Sequence, residues 1–414
     1  MNYLKKNLVW VSVLAVALGY FVDLFDLLLF SSVRVESLKA LNITGEQGTY
    51  YASNLLNLTV LGMVIGGLFW GIIADKKGRL SVLFASIAMY TVANFINGWV
   101  TNIHVYQLCR FLAGLGLAGE LGVGITLVSE ALPRNKRTLG AAIITASGML
   151  GAVSSGILAS LLKGSTVWGV SSWRFLFILA GFFGLALLFF RISVAESAVF
   201  EKSQSSHNRG NLLYLLGDGR LLKKYLYCVC SGLPVFFIIG TFISLSPEYG
   251  RAFGINGIQA SMAVACCYIA ISVADFLGTL LSRRLRSRKK ILYIFLLIQV
   301  ASVLVFLFVP YLNVTDYYIR CAFLGVGIGY WGVLIVNSVE QFGTNLRATV
   351  ATSVPNLIRG ALFPLSEFIF NPLKSHFGLL YSGAITALLT VAIALYSVSQ
   401  LTDRFENNID FIDN

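Results

Sequence analysis

Charge is scarce in this sequence. Lys, Arg, Asp and Glu make up 12% of the 414 residues, against 57% hydrophobic ones, where a soluble domain carries about a quarter charged. Histidine is scarcer still, three residues in all: His104, His207 and His376, none inside an apolar run. No Ser/His/Asp set is apparent either, so an enzyme is not expected. The six cysteines lie in or at the ends of apolar segments, where a thiol is a small filler. Cys228-Val-Cys230 has no nearby His or third thiol, so neither a metal nor a cofactor is expected. Acids are the minority charge, 19 against 31 Lys and Arg, for a net +12. In a soluble chain that excess would suggest nucleic acid. Here mean hydropathy is +0.78, and the basic residues gather in the amino terminus and alternate loops, as the positive-inside rule places them. A lipid bilayer, not nucleic acid, is the expected environment.

What the chain has in quantity is apolar runs of about 20 residues, each able to cross a ~30 Å hydrocarbon core. They predict spans over 8–33, 50–74, 80–100, 104–131, 138–162 and 172–191, then 224–246, 257–282, 290–311, 317–340, 348–372 and 377–400. The first run follows Lys5 and Lys6 and lacks a small-residue cleavage site, so it reads as a retained span. An even count puts both termini in the cytoplasm, in a multi-pass protein of a bacterial inner membrane. The organisation expected is a bundle over 1–191, a cytoplasmic linker over 192–223, a bundle over 224–400 and a tail over 401–414. Within the linker, Asn211–Tyr225 alternates Leu and Tyr with Arg and Lys and predicts a helix on the inner membrane surface. The tail after Thr402 is acidic and predicted disordered.

The halves repeat. Arg320, Glu340 and Arg347 follow Arg110, Glu130 and Arg137 at one offset of 210 positions. Gly114, Gly116 and Gly119 follow the first arginine, and Gly325, Gly327 and Gly329 the second. In so weakly charged a chain, three matched charges point to two parallel halves of one membrane transporter. Gly114–Gly119 spells GxGxxG, but no strand precedes it. In an apolar 20-mer such glycines let helices approach closely.

Gly71-x-x-x-Asp75-Lys76-x-Gly78-Arg79 between spans two and three resembles the signature loop of the major facilitator superfamily. Arg110 with its glycines resembles that superfamily's fourth-helix motif. Gly278-Thr-Leu-Leu-Ser-Arg283-Arg284 is a degraded second loop copy that lacks the acid. Glu130-x-x-Pro133-x-x-x-Arg137, Ser172-Trp173-Arg174 and Ala195-Glu196-Ser197 are similar to the sugar-porter and metabolite:proton symporter branches. The resemblance implies an all-α membrane protein with twelve transmembrane helices in two pseudo-symmetric six-helix bundles. It implies gating roles for Asp75, Arg79, the Glu130–Arg137 pair and the Glu340–Arg347 pair. It departs from the sugar porters at span seven, which holds no Gln or Asn, and from drug antiporters at span five, which lacks their proline.

Buried charge marks the candidate site, because ionised groups in lipid depth are expensive and face a bundle interior. Asp23 and Asp26 share one face of span one. Arg110 lies about six residues, ~9 Å, below the outer end of span four, at the level of Asp26. Glu120 sits mid-span between Gly119 and Gly122. Asp23, Asp26 and Glu120 are the candidates for proton coupling. Arg110, Arg359 and Asn356 are the candidates for binding substrate, since an arginine fork suits a carboxylate. The function expected is proton-coupled symport of a small polar metabolite, an organic acid, amino acid or betaine-like zwitterion, by a monomer with alternating access. A sugar or polyol:proton symporter and a proton-driven efflux antiporter are the alternatives.

Overall fold

The structure, a computed structural model, describes residues 2–132, 134–195 and 212–405. The side chains of Glu130 and Arg137 fall outside the described residues, as do residues 406–414 of the tail. Among the described residues, eleven helical stretches are long and apolar enough to cross a membrane. Ten are single spans: α1 (Trp10–Ala40), α2 (Gly45–Lys77), α3 (Arg79–Trp99), α4 (Ile103–Val128), α5 (Leu139–Leu161), α6 (Ser172–Arg191), α7 (Gly219–Ile243), α8 (Ala260–Leu285), α9 (Arg288–Phe308) and α10 (Val314–Glu340). The eleventh, Arg347–Gln400, runs for 54 residues, about twice what a bilayer needs. It breaks at Gly378, whose φ is 74°. The break separates α11, from Arg347, and α12, residues 379–400, giving the expected twelve spans.

Chain contacts divide the molecule into two compact units. Among the described residues, the first holds the chain up to Tyr214 together with Phe342–Asn356; the second holds Leu215–Gln341 and residues 357–405. The sequence reading gave all of 224–400 to the second bundle, whereas here the first turns of α11 pack with the first unit. The cause is local. Asp75, at the end of α2, accepts hydrogen bonds from the backbone N–H of Ala348 (3.1 Å) and Thr349 (2.8 Å) and from the Thr349 hydroxyl (2.7 Å). It thereby satisfies donors that the start of α11 leaves open.

Within the first unit α1 packs on α5, α2 on α4, and α3 on α4 and α6; within the second, α8 and α9 pack on α10, and α9 on α12. Close approach of backbones sets these pairs. A Cβ on Gly116 would lie 2.9 Å from the Ser86 carbonyl and the Tyr90 nitrogen of α3, and one on Gly327 would lie 2.8 Å from Gln299 Cα of α9. With no hydrophobic drive between helices in lipid, such packing is what joins them. Phe189, Phe368 and Tyr396, all well exposed, belong to the outer apolar surface.

Both α4 and α10 are interrupted at equivalent positions. Helix Ile103–Leu117 stops at Ala118-Gly119 and resumes at Glu120, and Val314–Gly327 stops before Trp331. Between α5 and α6 a small hairpin pairs β1 (Thr166–Val167) with β2 (Val170–Ser171). Its two-residue turn, Trp168-Gly169, has positive φ at both positions, the geometry that two-residue hairpin turns demand.

The expected surface helix over Asn211–Tyr225 is divided instead. Leu212–Gly217 is a short helix, and α7 starts at Gly219. Asp218 makes the division by capping α7 through Arg220 N (2.7 Å) and Leu221 N (3.4 Å). The side-chain bond from Arg220 and these cap bonds hold its carboxyl below the ordinary Asp range. The start of the tail is docked, where disorder was expected. Thr402 O accepts from Gln341 Nε2 at 2.7 Å, Asp403 accepts from the Ser287 hydroxyl and the Arg288 N–H, and Phe405 lies under the Arg288 guanidinium at 4.6 Å.

Candidate functional site

Two buried ion pairs organise the interior of the first unit. In the outer of the two by sequence depth, Arg110 Nη1 stands 3.5 Å from Asp26 Oδ1, both side chains fully buried. The depth argument put the two at one level, and the fold brings them together from α4 and α1. Arg110 Nε also donates to Thr59 Oγ1 at 3.3 Å, and its guanidinium faces the rings of Phe30 (4.7 Å) and Phe177 (5.8 Å). This pair is held at ion-pair distance and lacks a strong direct hydrogen bond, so a change of charge on Asp26 alters the setting of Arg110 directly. Asp23, one turn earlier on α1, is also buried.

The second pair was not foreseen in full. Glu120 begins the lower half of α4 and is buried, as expected. Its partner is Arg191, at the end of α6. The guanidinium grips the carboxylate with two bonds, Nη1 to Oε1 at 3.1 Å and Nη2 to Oε2 at 2.8 Å. It also donates to the carbonyls of Ala15 (3.2 Å) and Leu83 (3.5 Å), while Ser86 Oγ donates to Glu120 Oε1 at 3.1 Å. One pair thus ties α1, α3, α4 and α6 together. By position Arg191 reads as a cytoplasmic loop cation. The signal that could have found it is that a mid-span carboxylate requires a buried counter-charge.

Asn356 Nδ2 donates to the carbonyls of Ala118 (3.1 Å) and Thr352 (2.8 Å). The amide therefore bonds to the break in α4 and to its own helix. Arg347 is fully buried. Arg79 lies 3.6 Å from Asp75.

In the second unit, Arg359 is 7% exposed. Its guanidinium lies 5.5 Å from the ring centroid of Phe236 and 5.8 Å from that of Trp331. Glu340 is bound by Arg288, Nη2 to Oε1 at 3.0 Å and Nε to Oε2 at 3.2 Å, a partner the sequence did not suggest. Arg288 starts α9, so its backbone cannot move far from the carboxylate at the end of α10. Asp275 accepts from Gly332 N at 2.8 Å, supporting the break in α10. In the same unit α7 and α11 each contain a π-helical turn, Ile238–Ile243 and Ser366–Phe370. Such turns often mark functional sites. Among the described residues no cluster of His, Cys, Asp and Glu could hold a metal.

The sequence profile described as Major Facilitator Superfamily matches residues 16–362. Over 399 residues the chain is 27% identical to a Bacillus subtilis (strain 168) protein named "Putative niacin/nicotinamide transporter NiaP", covering 94% of this chain and 95% of that one. A protein of Corynebacterium glutamicum named "Gentisate transporter" is 24% identical over 347 residues, 81% of this chain and 75% of that one. Among solved structures, the proton:xylose symporter XylE bound to 6-bromo-6-deoxy-D-glucose superposes with a TM-score of 0.76 over 98% of both chains at 15% identity, a likeness of fold. The profile match reaches into both repeats and the substrates named for the relatives are small metabolites: this chain is a multi-pass membrane transporter of such molecules, and it belongs to the major facilitator superfamily.

Proposed function

We propose that this transporter couples uptake of a small organic acid, a ring compound carrying one carboxylate, to entry of a proton. The observation that carries the substrate class is Arg359, a nearly buried cation beside an edge-to-face pair of aromatic rings, Phe236 and Trp331. The guanidinium fork supplies parallel donors to a carboxylate, and the rings supply faces for an aromatic body to stack on. Niacin and gentisate, the compounds named for two relatives, are both rings bearing a carboxylate. A sugar would find fewer partners here, since α7 offers no Gln or Asn.

Asp26 is the proton acceptor in this reading, with Arg110 as its balancing charge. Asp23 stands one turn away, and Glu120 belongs to the same interior. Asn356 and Arg110, committed to carbonyls and to Asp26 respectively, shape the protein interior. Asp75, Arg79, Glu340 and Arg347 act at helix ends as parts of the gate, and Glu130 and Arg137 share that role. A proton and a monocarboxylate moving together carry no net charge, which lowers the cost of taking the loaded site across a low-dielectric barrier. We place both termini on the cytoplasmic side of an inner membrane, in a protein that works as a monomer.

The test is uptake by proteoliposomes under an imposed pH gradient, acid outside, with nicotinate, gentisate, proline and xylose as probes. The two ring carboxylates should accumulate, and Arg359→Ala should raise their KM tenfold or more. Asp26→Asn should abolish accumulation while leaving exchange of labelled for unlabelled substrate. Accumulation of xylose but not of either carboxylate would overturn the substrate class. Uptake indifferent to the gradient would overturn the coupling.

A further inference from the structure

The degraded second copy of the loop motif, between α8 and α9, takes no part in the transport cycle proposed above. It differs from the first copy in charge and in backbone. In the first copy Asp75 supplies an acid, and Gly78 takes the positive φ of the turn, 97°. In the second, Ser282 stands at the position of the acid. Its hydroxyl donates to the Ser287 carbonyl (3.1 Å) and accepts from Arg288 Nη1 (3.1 Å). The positive φ, 49°, falls on Arg286, which ends α8 in the left-handed region. Glycine or asparagine holds that conformation at little cost, and arginine does not. Between Asp275 and Asp316 the sequence has no acid, yet six cations lie within residues 283–290.

Two of the six are committed to the protein. Arg288 holds Glu340. Lys289 Nζ donates to the carbonyls of Ser399 (2.7 Å) and Leu401 (2.9 Å) at the end of α12. The other four, Arg283, Arg284, Arg286 and Lys290, are exposed, and none has an ion pair among the described residues. The acids at this end already have partners: Glu340 faces Arg288, and Asp403 accepts from the Ser287 hydroxyl and the Arg288 N–H. The helix face that leads to the cluster is apolar. Val273, Leu277, Leu280 and Arg284 follow at spacings of four, three and four, so they lie on one face of α8. The three apolar side chains are 39–56% exposed. Arg284 therefore stands where an acyl-facing surface ends and headgroups begin. The positive-inside rule calls for cations in such a loop. It does not call for an arginine in a left-handed cap.

We propose that the turn between α8 and α9 binds the headgroup of an anionic phospholipid. Arg283, Arg284 and Arg286 hold its phosphate, since guanidinium forks match phosphate oxygens, and Lys290 adds a point charge from the start of α9. The acyl chains lie along the Val273–Leu280 face. Four neighbouring cations repel one another, and a bound phosphate offsets that repulsion. The headgroup also fixes the turn from which Arg288 reaches Glu340 at the end of α10. The site does not depend on which substrate is carried or on which acid takes the proton.

Native mass spectrometry of the purified full chain in neutral detergent tests this, with phosphatidylglycerol and phosphatidylcholine of the same acyl chains as probes. The wild type should bind its first phosphatidylglycerol about tenfold more tightly than phosphatidylcholine, or better. Arg283→Gln, Arg284→Gln and Arg286→Gln together should bring the two lipids to within about threefold. Lys76→Gln, Lys77→Gln and Lys223→Gln together remove the same charge from exposed residues elsewhere, and that variant should keep the preference. Arg286→Gly separates binding from folding. Glycine takes the positive φ freely, so the unfolding temperature in phosphatidylcholine should not fall, while the affinity for phosphatidylglycerol should drop about threefold. An unchanged preference in the triple arginine variant would overturn the proposal. So would an equal loss in the lysine control, which would reduce the effect to net charge. Equal stabilisation of the wild type by inorganic phosphate at matched concentration would assign the turn to a free anion. Binding of polyglutamate in place of phosphatidylglycerol would assign it to an acidic protein. Either result overturns the lipid assignment.

Discussion

The tightest constraint at the scale of single residues is the space around Arg191. A Cβ on Gly19 would collide with the guanidinium and lie 2.6 Å from Glu120 Oε2. Neither partner can retreat, since both sit among α1, α3, α4 and α6. Gly19→Ala should therefore force the pair apart. Arg191→Ala removes one partner and leaves a buried carboxylate uncompensated, a loss on the order of 3–5 kcal/mol. Both variants should unfold at clearly lower temperature in detergent than the wild type. Gly19→Ala in an Arg191→Ala background should cost little more, because the guanidinium is gone and the released Glu120 carboxylate can swing aside. Additive losses would show that Gly19 matters for something other than the pair. Glu120 was legible in the sequence as an anomaly, an acid in an apolar helix. Arg191 was not, because a cation at a helix end looks the same in sequence whether it points to water or turns inward. The Asp26–Arg110 pair was legible, because both residues could be placed by counting turns from the same membrane surface.

At the scale of elements, helix ends and interruptions matter more than helix interiors. The spans themselves follow from hydropathy and length, and the Gly114–Gly119 spacing pointed to close helix approach at α4 without saying which helix comes near. The breaks in α4 and α10, the π turns and the Trp168-Gly169 hairpin depend on local hydrogen bonding that hydropathy does not register. The same holds for Asp75. In sequence it belongs to a loop motif; in space it caps α11, some 270 positions later. Asp75→Ala removes three hydrogen bonds to that helix start, and loss of a capping side chain costs about 1–2 kcal/mol. The expected consequence is local. Amide hydrogen exchange should quicken over Arg347–Asn356 and stay as in the wild type over α5. Unchanged exchange at Ala348 and Thr349 would mean that the cap adds nothing to the helix.

For the molecule as a whole, the question is what duplication left identical and what it made different. Arg110 and Arg320 occupy the same position in the two repeats, yet their surroundings diverge. Arg110 is fully buried and faces an acid on another helix, Asp26 of α1. Arg320 pairs with Asp316, one turn back on its own helix, at 2.6 Å. It spends its remaining donors on the carbonyls of Val305 (3.1 Å), Val309 (2.5 Å) and Pro310 (2.7 Å). The Val309 and Pro310 carbonyls lie past the last turn of α9, and that of Val305 also takes the Val309 N–H, so Arg320 serves as a C-terminal cap with Tyr311 under its guanidinium at 4.0 Å. The same residue at the same offset thus faces an acid of another helix in one unit and closes a helix end in the other. The two substitutions should separate accordingly. Arg320→Ala strands two carbonyls, Val309 and Pro310, and an acid near the end of α9, lowering stability by about 1–3 kcal/mol. Gradient-driven uptake per folded molecule should stay near that of the wild type. Arg110→Ala should leave gradient-driven uptake near background even where folded protein is recovered, because Asp26 then has no cation whose setting depends on its proton. Equal losses of uptake in the two variants, after correction for the amount folded, would mean that the arginine serves the same purpose in both halves.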